Sequence, residues 1–178
     1  MLNVFPDRKS FGFSLVELMM GIMIMAILVS LALPGFRDML RNAEVRNAAE
    51  SIAGGLQRAR AEAVARNTNV EFVLGVASSW VVRVVSAPNP PIESRSSSEG
   101  SNNVTVVALA ADLATPATTV TFTNFGGVTA NVPVSESLTQ VDFTAPGATQ
   151  NLRVTMGVGG NARMCDPSLA AGSSPRAC

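Results

Sequence analysis

Residues 12–35 read GFSLVELMMGIMIMAILVSLALPG. From Phe13 to Leu33 this stretch holds 21 residues, and Glu17 is the only charged one. As an α-helix rising about 1.5 Å per residue it spans about 31 Å, close to the hydrocarbon thickness of a bilayer. Arg8 and Lys9 stand just before it, and the next basic residue is Arg37. That asymmetry places Met1 in the cytoplasm and the remainder of the chain outside.

Two plain readings of the segment leave Glu17 without a reason. One is a simple single-span anchor. The other is a secretory signal, with Ser30 and Ala32 as the small residues before a cut, although the apolar run is longer than such signals use and contains an acid. A carboxylate in a membrane interior costs roughly 2.5–3.5 kcal/mol on insertion scales, which marks such a residue as functional.

The third reading rests on the pattern Gly12-Phe13-Ser14-Leu15-Val16-Glu17-Leu18 after a basic head. It resembles the type III signal of type IV pilins and type II secretion pseudopilins. The resemblance implies that a prepilin peptidase cuts between Gly12 and Phe13 on the cytoplasmic side and methylates the new amino group of Phe13. Residues 1–12 are then a leader, and 13–35 a transmembrane and assembly helix. Glu17 becomes the fifth residue of the mature chain and Pro34 the 22nd, where such pilins also tend to carry proline. The family also implies that Glu17 pairs with the N-terminal amine of a neighbouring subunit, which supplies the partner that a carboxylate in an apolar setting needs.

Beyond Pro34-Gly35, a pair that interrupts an ideal helix, residues 36–67 keep a helical period. Val45, Ala48, Ala49, Ile52, Leu56, Ala59 and Ala63 fall on one stripe at spacings of three and four, with Arg46, Glu50, Gln57 and Arg58 opposite. Phe36, Met39, Leu40 and Ala43 form a second, shorter stripe about half a turn away. The first suits packing on the helix's own domain. The second suits either other helices in a filament core or an incidental contact with membrane or loop. Gly54-Gly55 marks close packing or a bend. Glu62 and Arg66 are spaced for an i,i+4 pair, and Asn67 suits the helix terminus. This stretch, followed by a β-rich region, resembles the GspH/FimT group of minor pilins and pseudopilins.

From residue 68 to 178, valine, threonine, serine, alanine and glycine dominate. Strands are expected at 70–74, 80–85, 104–109, 119–123, 128–132, 140–144 and 152–156, with Asn124 to Gly127 turning a hairpin. Residues 86–103, SAPNPPIESRSSSEGSNN, read as a surface loop. The fold class is therefore α+β: a pilin-like long N-terminal helix packed on an antiparallel β-sheet domain. Cys165 and Cys178 lie in the last 14 residues, and in an exported chain two cysteines so spaced are most simply a disulfide. The same terminal loop recurs in the group the chain resembles.

Charge and composition narrow the function. Thirteen Lys plus Arg balance thirteen Asp plus Glu, so no strong field draws the chain to nucleic acid. It has no histidine and no tyrosine, and Lys9 is its only lysine. The commonest general base is thus missing, and no nucleophile motif or phosphate loop is present. We expect no enzyme, no metal and no cofactor, and read Glu71, Glu93, Glu99, Asp112 and Asp142 as solvated charges. The expected role is that of a structural minor pilin in type IV pilus assembly, with a type II secretion pseudopilin as alternative. Partners are then the prepilin peptidase, other major and minor pilins, and the inner membrane before assembly. A third alternative is DNA uptake, since the resemblance includes some relatives of the FimT kind that bind DNA through Gly-Arg-x-Arg near the C-terminus. The matching stretch here, Gly160-Asn161-Ala162-Arg163, lacks the first arginine. Arg153, Arg163 and Arg176 are the candidate DNA contacts, unless Arg163 pairs with Asp166 or solvates a strand edge.

Overall fold

The computed structural model describes residues 12–178. The chain divides into two compact units, Met1–Arg37 and Asp38–Cys178. The expected leader, apart from Gly12, lies outside the described residues.

One helix, α1, runs Leu15–Arg66. Helical structure continues through Pro34-Gly35, where the sequence suggests a break. Proline removes one backbone bond but its fixed φ is already helical, so the remaining bonds carry the helix across. Within the first unit every large apolar side chain from Phe13 to Leu33 is exposed. The segment is long and apolar enough to cross a membrane.

Within the second unit α1 is the spine of the core. Val45, Ala48, Ala49, Ile52, Leu56, Ala59 and Ala63 are all buried, as their spacing demands. Met39 and Leu40, on the other stripe, are exposed, as is Phe36 of the first unit. The helix ends in a Schellman arrangement: the Asn67 N–H donates to the Val64 carbonyl and the Thr68 N–H to that of Ala63. Asn67 takes the left-handed conformation that this closure needs, with φ 51°. Glu62 accepts from Arg66 at 2.6 Å and pairs with Arg58 at 3.1 Å.

Nine strands follow among the described residues. In the first sheet β1 (Val70–Leu74) lies between β2 (Trp80–Val84) and β5 (Thr119–Phe122), with β3 (Glu93–Arg95) and β6 (Val128–Thr129) at the edges. The second sheet has the order β4 (Thr105–Leu109), β7 (Gln140–Thr144), β8 (Leu152–Met156) and β9 (Ala162–Cys165). Neighbouring strands in both sheets pair antiparallel. Val70, Phe72, Val82, Val120 and Phe122 of the first sheet and Val141, Phe143 and Val154 of the second join the stripe of α1 in one core. These side chains alternate along each strand because successive residues face opposite sides.

Four expectations need correction. Residues 86–103 contain strand β3, whose Glu93 reaches back to Arg58 of α1 at 3.3 Å. The strand expected over 128–132 stops at Thr129. Asn131 is instead a buried hub, accepting from Thr121 Oγ1 and donating to the carbonyls of Thr119, Ser135 and Glu136. Strand β9 lies in a stretch with no β-branched residue. Finally, Glu71 and Asp142 are not freely solvated, whereas Glu93 stays exposed. Glu71 is buried and pairs with Arg83 at 2.5 Å across β1 and β2, where the register sets Glu71 opposite Arg83.

Candidate functional site

The first candidate site is the start of α1. Gly12, Phe13 and Ser14 precede the helix, and the Ser14 Oγ accepts from the Glu17 N–H at 3.1 Å. Ser14 thus caps the helix, satisfying one of the backbone donors that a helix start leaves free. The cue was present in the sequence, since Ser14-Leu15-Val16-Glu17 has the spacing of a capping box. Glu17 lies in the first turn, where an anion is favoured by the helix dipole. Phe13, Glu17, Leu18, Gly21, Ile22 and Met25 line one groove along the helix. None of the ion pairs among the described residues involves Glu17.

The second is the C-terminal region. Cys165 and Cys178 form a disulfide with Cα atoms 5.1 Å apart. The three candidate arginines do not present a common patch of free guanidinium. Arg153 is spent on Asp142, to which Nε donates at 2.6 Å and Nη2 at 3.2 Å. The sheet register places Asp142 directly opposite Arg153, and a two-pronged pair of this kind is geometrically specific. Arg163 does not pair with Asp166. Its Nη2 donates to the carbonyls of Pro175 and Ala177, both at 2.9 Å. Arg176 is exposed and near Asp166, Arg46 and Gln150 around a small cavity.

Three carboxyls lie below their usual range. The Arg66 guanidinium beside Glu62 lowers it, helped by the charge of Arg58 and opposed by desolvation. Asp112 is lowered by the Thr115 hydroxyl and the N–H groups of Thr115 and Ala114, a turn closing on itself. Asp166 is lowered by the Ser168 hydroxyl and N–H, with the charge of Arg176 adding to the effect. Each is held as an acceptor by its own loop or helix. Among the described residues no group of three or more acids or cysteines is placed to hold a metal ion.

Comparisons with known proteins bear on both regions. The motif described as prokaryotic N-terminal methylation matches residues 7–33. The family described as type II transport protein GspH matches residues 48–170. No curated protein matches the sequence. Among solved structures, the type IV minor pilin FimU of Pseudomonas aeruginosa, in one crystal form, superimposes with a TM-score of 0.50 at 18% identity, covering 73% of this chain and 94% of that one. The minor pseudopilin EpsH of the Vibrio cholerae type 2 secretion system gives 0.49 at 16% identity, covering 71% and 99%. The first likeness is one of fold, a long helix on antiparallel sheets. Since the GspH match spans more than half of the sequence, the chain belongs to the family of the type II transport protein GspH.

Proposed function

We propose that this chain is a minor pilin or pseudopilin that enters a filament after processing at its N-terminus. The observation that carries the reading is the series on one chain: a methylation motif over residues 7–33, then a GspH domain over 48–170, with α1 running through both. The wholly exposed apolar surface of the first unit suits a segment that exchanges bilayer for packed helices.

In this reading residues 1–12 are removed by a prepilin peptidase and Phe13 receives the methyl group. Residues 13–35 cross the inner membrane with the N-terminus cytoplasmic. Residues 36–67 join that helix to the periplasmic domain, 68–178. The Glu17 carboxylate takes the Phe13 amine of a neighbouring subunit as partner, setting register between helices. No cofactor or catalytic group is called for.

The machine is a type IV pilus, with this chain in its priming or tip complex. Its support is the terminal disulfide, which the sequence resemblance associates with minor pilins. A type II secretion system is the second reading, supported by the description of the matching family. DNA binding is not favoured, because Arg153 and Arg163 already bond within the fold.

N-terminal and intact mass spectrometry on the membrane-extracted native protein tests the proposal. A chain beginning at methylated Phe13 supports it. One beginning at Met1 makes the segment an anchor, and one beginning at Leu33 makes it a secretory signal; either result removes the filament. Deleting the gene then separates the machines: loss of surface pili supports the pilus, loss of exported enzymes the secretion system.

A further inference from the structure

Arg163 stands on β9 two residues before Cys165, so the two side chains share a face of the second sheet. Its Nη2 donates to Pro175 and Ala177, and Ala177 adjoins Cys178. Beside it the Asp166 N–H donates to the Arg176 carbonyl at 2.7 Å, and Asp166 and Ala177 form a parallel bridge. The Asp166 carboxylate meanwhile accepts from both the N–H and the hydroxyl of Ser168. The return path of the tail is thus held by bonds that involve no sulfur.

We propose that Arg163 is a positioning residue for the Cys165–Cys178 disulfide: it docks the reduced tail against β9 and holds the Cys178 thiol beside Cys165 before the bond forms. Closing a loop in a free chain costs conformational entropy. A guanidinium that closes it beforehand raises the effective concentration of one thiol at the other. The loop spans 13 residues and its return half carries both contacted carbonyls.

With oxidised glutathione as oxidant the step balances. One cysteine thiolate attacks the glutathione S–S bond, releasing a glutathione thiolate and leaving a mixed disulfide. The second cysteine thiolate attacks the protein sulfur of that mixed disulfide. The Cys165–Cys178 bond forms and the second glutathione leaves. Two electrons pass from the protein to glutathione, and the two cysteine protons end on the glutathione thiolates. Arg163 takes part in neither transfer and acts in the second step through approach alone.

The experiment equilibrates the full chain, in detergent, across glutathione redox buffers, then traps thiols by alkylation and reads the oxidised fraction by mass. Two charge-assisted bonds at a partly exposed site correspond to about a tenfold change in equilibrium. Arg163→Ala should therefore need about tenfold more oxidising buffer to reach half oxidation. Arg163→Lys, which keeps a charged donor, should fall between. Arg153→Ala, on the same sheet face but bonded to Asp142, should match the wild type. An unchanged midpoint for Arg163→Ala, or an equal shift for Arg153→Ala, overturns the proposal. A sulfur-free chain, Cys165→Ser with Cys178→Ser, tests it without oxidation. Its Asp166 amide should exchange with solvent more slowly than in urea-unfolded chain. Free exchange there means that sulfur alone holds the tail, and the proposal fails.

Discussion

Gly160 packs so closely on Gly126 that a Cβ built on it would collide with the Gly126 carbonyl oxygen. That oxygen also accepts from Arg60 Nε at 3.0 Å, and the Val128 N–H donates to the Val158 carbonyl. The turn between β5 and β6 and the turn between β8 and β9 therefore meet over α1, and the two sheets are tied there. Gly160 also has φ +75°, a conformation that suits glycine. We predict that Gly160→Ala lowers stability by about 2–4 kcal/mol, since backbone must move and a strained φ must be held. Urea unfolding of the detergent-solubilised chain measures it, and a loss under 1 kcal/mol contradicts the contact.

The adjacent glycines of α1 should respond in opposite directions. A Cβ at Gly55 would lie 2.8 Å from the Phe72 ring and 3.0 Å from that of Trp80, whereas one at Gly54 meets nothing within 4 Å. Trp80 cannot retreat easily, since its Nε1 donates to Ser51 Oγ at 2.8 Å. Gly55→Ala should cost about 1–3 kcal/mol by overpacking. Gly54→Ala should stabilise by about 0.5–1 kcal/mol through helix propensity. Equal effects in the same denaturation series would refute the packing account.

Of the ion pairs among the described residues, Glu71–Arg83 has the most buried carboxylate, while Arg83 is partly exposed. Removing the arginine strands a carboxylate in the sheet, while removing both leaves only a packing defect. Arg83→Ala is predicted to cost about 2 kcal/mol, and Arg83→Ala with Glu71→Gln noticeably less. A double-mutant cycle showing simple additivity would argue against the pair.

Acid should loosen both the end of α1 and the C-terminal loop. Glu62 and Asp166 have folded-state values below their unfolded ones. Their contributions are therefore complete above about pH 4–5 and lost as pH falls through the lowered values. Unfolding curves taken from pH 7 to 3 should show stability falling below about pH 4. Asp166→Asn should flatten that fall and speed amide exchange at Ser168. An identical pH slope in the variant would remove Asp166 from the account.

Binding to DNA should be absent at physiological salt. Residues 38–178 hold 10 arginines and 11 acids, so phosphate contacts gain no help from net charge. A gel shift in the micromolar range, abolished by Arg163→Ala, is the outcome that would restore the DNA reading.

The core stripe of α1 was legible because burial imposes a three- and four-residue period on its side chains. The strands at 70–74, 140–144 and 152–156 were legible because runs rich in Val, Thr and Phe are bounded by Gly, Pro and Asn. Glu93–Arg95 was not, since a three-residue edge strand preceded by prolines carries no apolar alternation. Ala162–Cys165 was missed for the same reason: its pairing with β8 is set by backbone and by the turn at Gly157–Asn161. At the candidate sites the motif around Glu17 was visible in single residues. The occupations of Arg153 and Arg163 were not, because each partner is fixed by strand register or by the path of a loop.

The Ser14 cap gives the helix start a particular independence. A cut after Gly12 leaves Phe13 as the first residue and Ser14 as the second, so the hydroxyl that closes the first turn stays with the mature chain. The peptide bond such a cut would break lies outside the helix. Proteolysis there, as proposed, would expose a new amine without unwinding the segment that bears it, and the helix would need no refolding before its next use.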